Sequence, residues 1–549
     1  MGDAVALFRS RVTTTGDEFR SNRASMLTLV EQLRALEDRA RAASETSAGR
    51  FAARGQLLPR ERLARVLDQG APFLELQNMI GYAMSDNGHA DTDRATTVPG
   101  GSQLAGIGFV AGVRCVVLVT DSGINAGAYT AAGISKVMRC QEISMANRLP
   151  FVHLVESAGA SIPTYRVEGW IRGGEMFANL TRLSSAGIPV ITVLHGSSTA
   201  GGAYMPGLSD VVVGVQGRGR AFLAGPPLLK AATGEIATDE DLGGARMHAE
   251  VSGLVEYLAE DDNDAIRLVR EAVARTGWAA RTSRCGPAVF AAPAYDPDEL
   301  AGVVPLDYRR PYDVREVVAR LADGSDLTDF KGRYGAATVC IEAEIHGRPV
   351  AFIGNNGPID NDGATKAAHF IQHCSQVGTP ITYLQNTTGF MVGTAHERGG
   401  MIKHGSKMIQ AVANATVPQF TFMIGASFGA GNYGMCGRGY DPRFLFGWPN
   451  ATIGLMGPEQ AGTTMRIVAE AAAQRRGLTV SEKTFAARER EVSDLIESQS
   501  DAFYASGRGI DDGVIDPRDT RRVLAFLLAT TDEAAQHTTR PVTFGVARM

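Results

Sequence analysis

Two stretches of this chain are the same piece of protein written twice. Ala186–Tyr204 reads AGIPVITVLHGSSTAGGAY and Ala415–Tyr433 reads ATVPQFTFMIGASFGAGNY, about 230 residues further on. Each runs from Ala to a Pro, through an apolar run, into a glycine cluster, and ends on Tyr. An apolar, β-branched run of strand length that breaks into glycines and resumes as Ala-rich chain predicts strand–turn–helix. The match extends outward. Lys136–Gly159 pairs with Lys366–Gly389, with Pro150 facing Pro380, and Gly225-Pro226 pairs with Gly457-Pro458. Upstream, Gly112–Gly123 pairs loosely with Gly347–Gly357, and Arg62-Leu63…Gly70 with Glu316-Val317…Gly324. A repeat with so long a period makes each copy a domain, which rules out a solenoid.

The length, 549 residues, allows several domains, and the repeat predicts two large ones of the α/β class. Residues 17–48 are charged and helical in pattern, with leucines at 27, 29, 33 and 36. They predict an arm, assigned to residues 1–54. Residues 57–76 predict a helix leading into a strand. Residues 85–103, rich in Gly, Asp, Asn and Thr, predict a loop. Strand and helix patterns then alternate to about residue 278. The stretch 277–300 has low periodicity and three prolines; 286–300 is taken as the linker, between a first domain at 55–285 and a second at 301–549. The last residues, from His537, predict a polar tail.

A net charge of −5 gives no reason to expect nucleic acid or an anionic membrane surface as partner. No uninterrupted apolar run reaches spanning length. Residues 1–23 mix Arg, Asp, Glu, Thr and Ser without an apolar core, and Ala6 stands where myristoylation wants Ser or Thr. The expected location is the cytosol. Six cysteines are scattered without a CxxC pair, as expected of reduced, buried thiols. His369 and His373 share a helical face, but no third ligand lies nearby in sequence, so packing or surface roles are expected and no metal site is assigned.

The chemistry is expected at two loops in each half. Ser157-Ala158-Gly159-Ala160 follows one strand of the first half, and Thr387-Thr388-Gly389-Phe390 follows its counterpart. The glycine clusters Ala200-Gly201-Gly202 and Gly429-Ala430-Gly431 open helices. Glycine lets a backbone approach a ligand closely, and a helix start leaves amides unpaired. Amides from the two loops can therefore converge on one oxygen and stabilise negative charge as it develops. Small residues that only let helices pack tightly would account for one such cluster more easily than for two at matching places. The sequence contains no GxSxG elbow, no GxxxxGK[ST] loop, no HExxH and no GxGxxG opening a helix after a strand. Nor does it offer a pair of acidic residues at the turns: Glu156 precedes one first loop, and Asn386 holds the matching place. Two oxyanion holes without a declared base fit a reaction in which a bound cofactor takes the proton.

At this point the chain resembles the carboxyltransferase (β) subunits of biotin-dependent acyl-CoA carboxylases, whose chains carry two crotonase-like domains. The likeness covers about residues 55–530 and is strongest to the branch acting on methylcrotonyl-CoA and geranyl-CoA. It is carried by PRERLARVLDQGAPFLEL (59–76), STAGGAYMPGLSD (198–210), FLAGPPLLKAATGE (222–235), NTTGFMVG (386–393), SFGAGNYGMCGRGYDPRFLFGWPNA (427–451) and MGPEQAG (456–462). The resemblance implies tandem domains of the ClpP/crotonase type related by duplication. It implies that carboxybiotin, held on a partner, delivers CO2 while its ureido group takes the substrate proton. The first-half hole, at Gly159, Ala160, Gly201 and Gly202, would hold the acyl-CoA thioester, with Ser157, Ala158, Ala200, Ala203, Tyr204 and Trp170 lining the substrate. The second-half hole, at Gly389, Phe390, Ala430 and Gly431, would face biotin, with Thr388 and Gly429 beside it.

The family shares each site between the first domain of one chain and the second domain of another, which implies a homo-oligomer, a hexamer. The chain has no Ala-Met-Lys-Met biotin-attachment sequence and no biotin carboxylase nucleotide loop, so an α subunit would supply biotin carboxylase and the biotin carrier. It also lacks the zinc-ribbon cysteines of some bacterial relatives. One segment departs from the methylcrotonyl type. Where those relatives carry a stretch like FPDRDHFG, this chain has IPTYRVEGWIRGGEMF (162–177). There Trp170, flanked by glycines, either packs as core, as Trp usage favours, or closes the acyl pocket. The acyl group stays open. Two other classes compete: a biotin-independent crotonase-like hydratase or isomerase, which needs two acidic residues facing the substrate, and a silent scaffolding subunit, which would show bulky side chains in the glycine loops.

Overall fold

A computed structural model of the chain describes residues 8–84, 93–162, 164, 166–279, 289–478 and 481–541. Cys285, residues 85–92 of the expected polar loop and parts of the linker and tail lie outside them. The fold is mixed α/β with two sheets. The chain divides into two compact units. One comprises Arg34–Cys285, Gly507–Gly509 and Ala529–Met549, and the other Met1–Leu33, Gly286–Ser506 and Ile510–Leu528.

Near the N-terminus stand helices α1 (Asp17–Glu45), α2 (Ala48–Ala53) and α3 (Pro59–Val66). The buried stripe of α1 is Met26, Val30, Leu33, Leu36 and Ala40, the i, i+4, i+7 spacing of one helix face. Leu27 and Leu29 lie off that stripe and are half-buried. Residues 57–76 form α3 and then strand β1 (Leu74–Glu75), as expected.

The sheet of the first unit contains β1, β2 (Gln103–Val110), β3 (Val113–Thr120), β4 (Phe151–Ser157), β5 (Val190–Thr199), β6 (Val211–Val215), β7 (Arg220–Phe222) and β8 (Tyr257–Ala259). Its order is β1-β2-β3-β4-β5-β6-β8, with β7 paired to β5. The first three strands are antiparallel and the rest parallel. The antiparallel start departs from simple strand–helix alternation because only Ala111-Gly112 links β2 to β3. Both residues are left-handed, at φ 50° and 76°, the geometry of a two-residue hairpin and too short for a parallel crossover. Both amides of this turn are held by the Asp68 carboxylate, at 2.9 and 2.7 Å. Helices α4 (Ala131–Asn147), α5 (Val167–Gly173) and α6 (Glu175–Ser185) follow in chain order. β4 is buried at every residue, as expected of a central parallel strand.

The second unit has strands β9 (Thr328–Asp329), β10 (Thr338–Ile345), β11 (Arg348–Asn355), β12 (Ile381–Thr387), β13 (Gln419–Phe428), β14 (Phe444–Gly447) and β15 (Thr452–Gly454). Their order is β14-β13-β12-β11-β10-β9, with β15 on β13. The β10–β11 hairpin turns on His346-Gly347, left-handed at both residues, and the Asp323 carboxylate binds both amides.

The prolines of the sequence motif are explained in both units. Pro150 and Pro380 accept from Val116 and Ala351, and Pro189 and Pro418 accept from Phe151 and Ile381, each at 2.9 Å. Proline has no amide to place in the ladder, but at a strand entrance its carbonyl starts the pairing. The lysines that open the matched segments are buried. Lys136 Nζ donates to the Gln103 and Gln77 carbonyls at 2.8 and 3.3 Å, and Lys366 Nζ to the Lys331 carbonyl at 3.4 Å.

Candidate active site

In the first unit, the register of β4 against β5 shifts between Val155 and Ser157, with the surplus residues on β5. The loop that follows is stitched to residues 126–129. Ser157 Oγ donates to the Gly127 carbonyl at 2.8 Å and accepts from the Gly159 amide at 3.0 Å. The Ala158 amide donates to the Ala126 carbonyl, the Tyr129 amide to the Gly159 carbonyl and the Ser161 amide to the Tyr129 carbonyl. Within this loop the Ala160 amide makes no hydrogen bond to any described residue.

The second loop approaches from the end of β5. A single turn, Ala200–Ala203, starts without a side-chain cap, entered through Ala200 at φ 52°. Its leading amides, Gly201 among them, are those a helix start leaves unpaired. Ser198 Oγ fixes the turn by donating to the Gly202 carbonyl at 2.8 Å. The two loops touch: a Cβ on Gly159, itself left-handed, would stand 3.1 Å from the Thr199 carbonyl. Phe177 closes over the turn, its ring edge-to-face with Tyr204 at 5.9 Å. Trp170 is 60% exposed, so in this chain it is not core. The supporting segment Asn125-Ala126-Gly127, left-handed at all three residues, was not singled out from the sequence, although its Gly- and Asn-rich composition marks it.

The second unit repeats the arrangement. β12 shifts register against β13 between Gln385 and Thr387. Thr387 Oγ1 accepts from the Gly389 amide at 3.2 Å, the Ile359 amide donates to the Gly389 carbonyl and the Met391 amide to the Ile359 carbonyl. The Phe390 amide, in the place of Ala160, makes no hydrogen bond to a described residue. Its ring packs inward, 3.0 Å from where a Cβ on Gly434 would stand and 3.3 Å from one on Gly405. The helix Gly429–Gly434 also starts without a side-chain cap, with Gly429 at φ 53°. A Cβ on Gly431 would lie 2.8 Å from Gly389 Cα, so this pair of loops is in closer contact than the first. Ser427 Oγ donates to Gln385 Oε1 at 2.6 Å and accepts from Asn432 Nδ2 at 2.8 Å, which pins the two loops together. Thr388 is exposed beside them.

Glu156 is not free to work as a base. It lies at the first register shift, and its carboxylate is 2.7 Å from Arg62 Nη1. Arg62, 1% exposed, also meets Asp262 at 3.2 Å, and Asp262 binds His195 Nδ1 at 2.9 Å. Burial, aided by the Arg62 charge, lowers the His195 pKa and keeps the ring neutral. Burial pushes the Asp262 pKa upward, but the His195 hydrogen bond and the Arg62 charge prevail and hold it at about 2. Because this is below the ordinary value of about 3.9, the stabilisation from Asp262 is complete above about pH 4 and lost as pH falls toward 2. The urea midpoint of the wild-type chain is expected to drop across that window, and that of Asp262→Asn to drop less. Equal slopes would show that Asp262 does not contribute to the acid limb.

His369 Nδ1 lies 2.9 Å from Lys331 Nζ, and His373 pairs with Glu342 at 3.3 Å. No group of three side chains suited to a metal ion occurs among the described residues, and no described helix is long and apolar enough to cross a membrane.

Residues 50–543 match the carboxyl transferase domain family. The chain is 47% identical over 501 residues to the probable biotin-dependent acyl-coenzyme A carboxylase beta2 subunit of Mycobacterium tuberculosis, covering 91% of this chain and 92% of the relative. It is 42% identical over 508 residues to the biotin-dependent 3-methylcrotonyl-coenzyme A carboxylase beta1 subunit of the same organism, covering 92% and 94%. The crystal structure of the geranyl-CoA carboxylase beta subunit of P. aeruginosa matches with a TM-score of 0.92 at 49% identity, over 99% of this chain and all of that one. The chain belongs to the carboxyl transferase family, and its two-sheet α/β fold is consistent with the crotonase superfamily. Within that family it is a carboxyltransferase β subunit of the biotin-dependent acyl-CoA carboxylases, in the methylcrotonyl-CoA and geranyl-CoA branch.

Proposed function

We propose that the chain is built of an arm (1–54), two crotonase-like domains related by internal duplication (55–285 and 301–549) and a linker between them (286–300), and that each domain carries one oxyanion hole. The single observation behind this reading is the pair of unbonded amides, Ala160 and Phe390, each left over between neighbours that are hydrogen-bonded. In the first unit, the Ala160 amide with the leading amides at Gly201 and Gly202 holds the thioester oxygen of a branched or unsaturated acyl-CoA. Ser157, Ala158, Ala200, Ala203, Tyr204 and Trp170 line the approach. In the second unit, the Phe390 amide with those at Ala430 and Gly431 suits a ureido oxygen, an acceptor with no donor of its own, and Thr388 and Gly429 flank it. Carboxybiotin, when bound, supplies CO2 and a group that accepts the substrate proton. The chain's part is to fix both oxygens and keep their donors aimed, each donor worth about 2.7–4 kcal/mol as charge develops.

The enzyme is proposed to work as a homo-oligomer, a hexamer, with an α subunit that makes and carries carboxybiotin. Apolar side chains exposed on helices Pro458–Arg475 and Glu482–Ser500, among them Met465, Ile467 and Leu495, support association. The five described cysteines are free and buried, in keeping with a cytosolic setting. The direct test is co-expression with an α subunit and a screen of acyl-CoAs for ATP- and bicarbonate-dependent carboxylation. No turnover with any acyl-CoA would refute the assignment.

If no side chain is the base, Glu156→Gln is expected to cost less than about tenfold in kcat, well short of the ~10²–10⁴ of a general base. A thousandfold loss with normal acyl-CoA binding would favour the hydratase reading. Trp170→Ala, on an exposed site, is expected to leave stability within about 0.5 kcal/mol. It should also shift preference toward longer or branched acyl chains by roughly 1–3 kcal/mol per methylene. The check is kcat/KM across a chain-length series, where a uniform drop would place the pocket end elsewhere.

A further inference from the structure

The strands that carry the glycine turns leave their ladders at the same place in both units. β5 pairs with β4 and β6 up to Leu194, and pairing resumes at Ser197 with β7 and at Ser198 with β4. β13 pairs with β12 and β14 up to Met423, and pairing resumes at Ala426 with β15 and at Ser427 with β12. His195-Gly196 and Ile424-Gly425 therefore pair with no described strand on either side. The glycines lie under the side chains opposite: a Cβ on Gly196 would stand 2.5 Å from Glu156 Cγ, and one on Gly425 2.5 Å from Asn386 Cγ. The carbonyls of His195 and Ile424 each accept a hydrogen bond from a side-chain carboxamide. The donor is Gln56 Nε2 in the first unit and Asn450 Nδ2 in the second, both at 3.0 Å.

The two carboxamides are not copies of one another. Gln56 lies between α2 and α3, and Asn450 between β14 and β15, so each unit supplies its donor from a different place in the chain. Gln56 is 9% exposed and Asn450 8%, and in both the carboxamide oxygen is buried without a hydrogen bond. Donation to the strand carbonyl is the one hydrogen bond either side chain makes with a described residue. A buried acceptor left idle is a cost that an apolar side chain of the same size would avoid. What the carboxamide adds at both places is the hold on the carbonyl. We propose that Gln56 and Asn450 are positioning residues, one for each oxyanion hole. Each pins the peptide at which its strand leaves the ladders and so sets where the strand delivers the turn that follows, Ala200–Ala203 or Gly429–Gly434. In the first unit the hold continues through Ser198, whose Oγ donates to the Gly202 carbonyl. In the second it continues through Ser427, bonded to Gln385 and Asn432. This rests on the proposed pair of holes and adds to it residues that act through the backbone.

The test compares Gln56→Met and Asn450→Leu, which keep the bulk and remove the donor, with Gln56→Glu and Asn450→Asp, which set a carboxylate against the carbonyl. In the complex with the α subunit, each apolar variant is expected to lose about 10–100-fold in kcat, the scale of a displacement of about 1 Å. KM for acyl-CoA should stay within about threefold, as for a loss felt in the transition state alone. The acidic variants should lose at least as much. Hydrogen–deuterium exchange on the full chain gives the second readout. Amides of residues 199–204 should exchange faster in Gln56→Met and those of 428–433 in Asn450→Leu, each with the other turn unchanged. The proposal is overturned if exchange at the turns does not change, or if both turns loosen together with a general fall in Tm. It is also overturned if KM rises at constant kcat, which would make Gln56 a substrate contact. Failure of the two-hole reading would look different: each turn loosens as expected and turnover does not follow.

Discussion

Gly431→Val is expected to lose at least about a hundredfold in carboxyl transfer while the chain still folds. A Cβ at this position would stand 2.8 Å from Gly389 Cα and 2.9 Å from Thr387 Cγ2. Neither is the far end of a flexible side chain, so the loop bearing the Phe390 amide must move. Losing the aim of one donor costs about 2.7–4 kcal/mol, or 10²–10³ in rate. The matching change in the first unit is gentler. A Cβ on Gly202 would meet Ser198 Oγ at 3.1 Å, a hydroxyl that can rotate away, so Gly202→Ala should lose less than Gly431→Ala. The measurement is single-turnover carboxyl transfer, with circular dichroism and gel filtration to establish folding. A folded Gly431→Val enzyme within tenfold of wild type would remove Phe390 from the proposed hole.

Arg62→Met should have the largest effect on stability, a loss of about 3–5 kcal/mol, the usual result of breaking a buried pair from one side. Arg62 touches both Glu156 and Asp262 in a nearly dry interior, so its removal leaves two carboxylates facing each other's charge without a cation. Urea denaturation at pH 7 reads the loss directly. Lowering the pH should restore part of it, because protonating either carboxylate relieves the repulsion. A loss below about 1 kcal/mol would show that water reaches the pair.

Much of this was legible in the sequence because it is written in local patterns: the apolar runs, the prolines at strand entrances and the glycine clusters. The glycine loops fell where expected because few other residues tolerate such close backbone contact. The carboxylates at Asp68 and Asp323, which hold the two hairpin turns, were missed because each partner lies more than twenty residues away in sequence. The same holds for the Arg62–Asp262–His195 network. Trp170 was weighed toward the core on its chemistry alone, and it is exposed. A residue type carries no information about which neighbours a helix finally meets. The narrowing of the proposed donors from whole loops to Ala160 and Phe390 required the hydrogen bonds made by Ser157 and Thr387, which no motif displays.

The register shifts of β5 against the end of β4, and of β13 against the end of β12, put slack into the ladder. Side chains alternate strictly along a strand, so without an interruption any change in a loop's orientation would have to be matched by every residue behind it. Two steps along β4 or β12 pass four along β5 or β13, and the surplus backbone breaks that obligation. Up to Val155 and Gln385 the strands keep one register with their partners, and past the shift Ser157 and Thr387 take up a new one that also sets the loop. Substitutions that tune the acyl or ureido side can therefore accumulate in the exposed loop positions beyond Ser157 and Thr387 while the strands keep their register, which is one way a single scaffold can serve a family of acyl-CoAs.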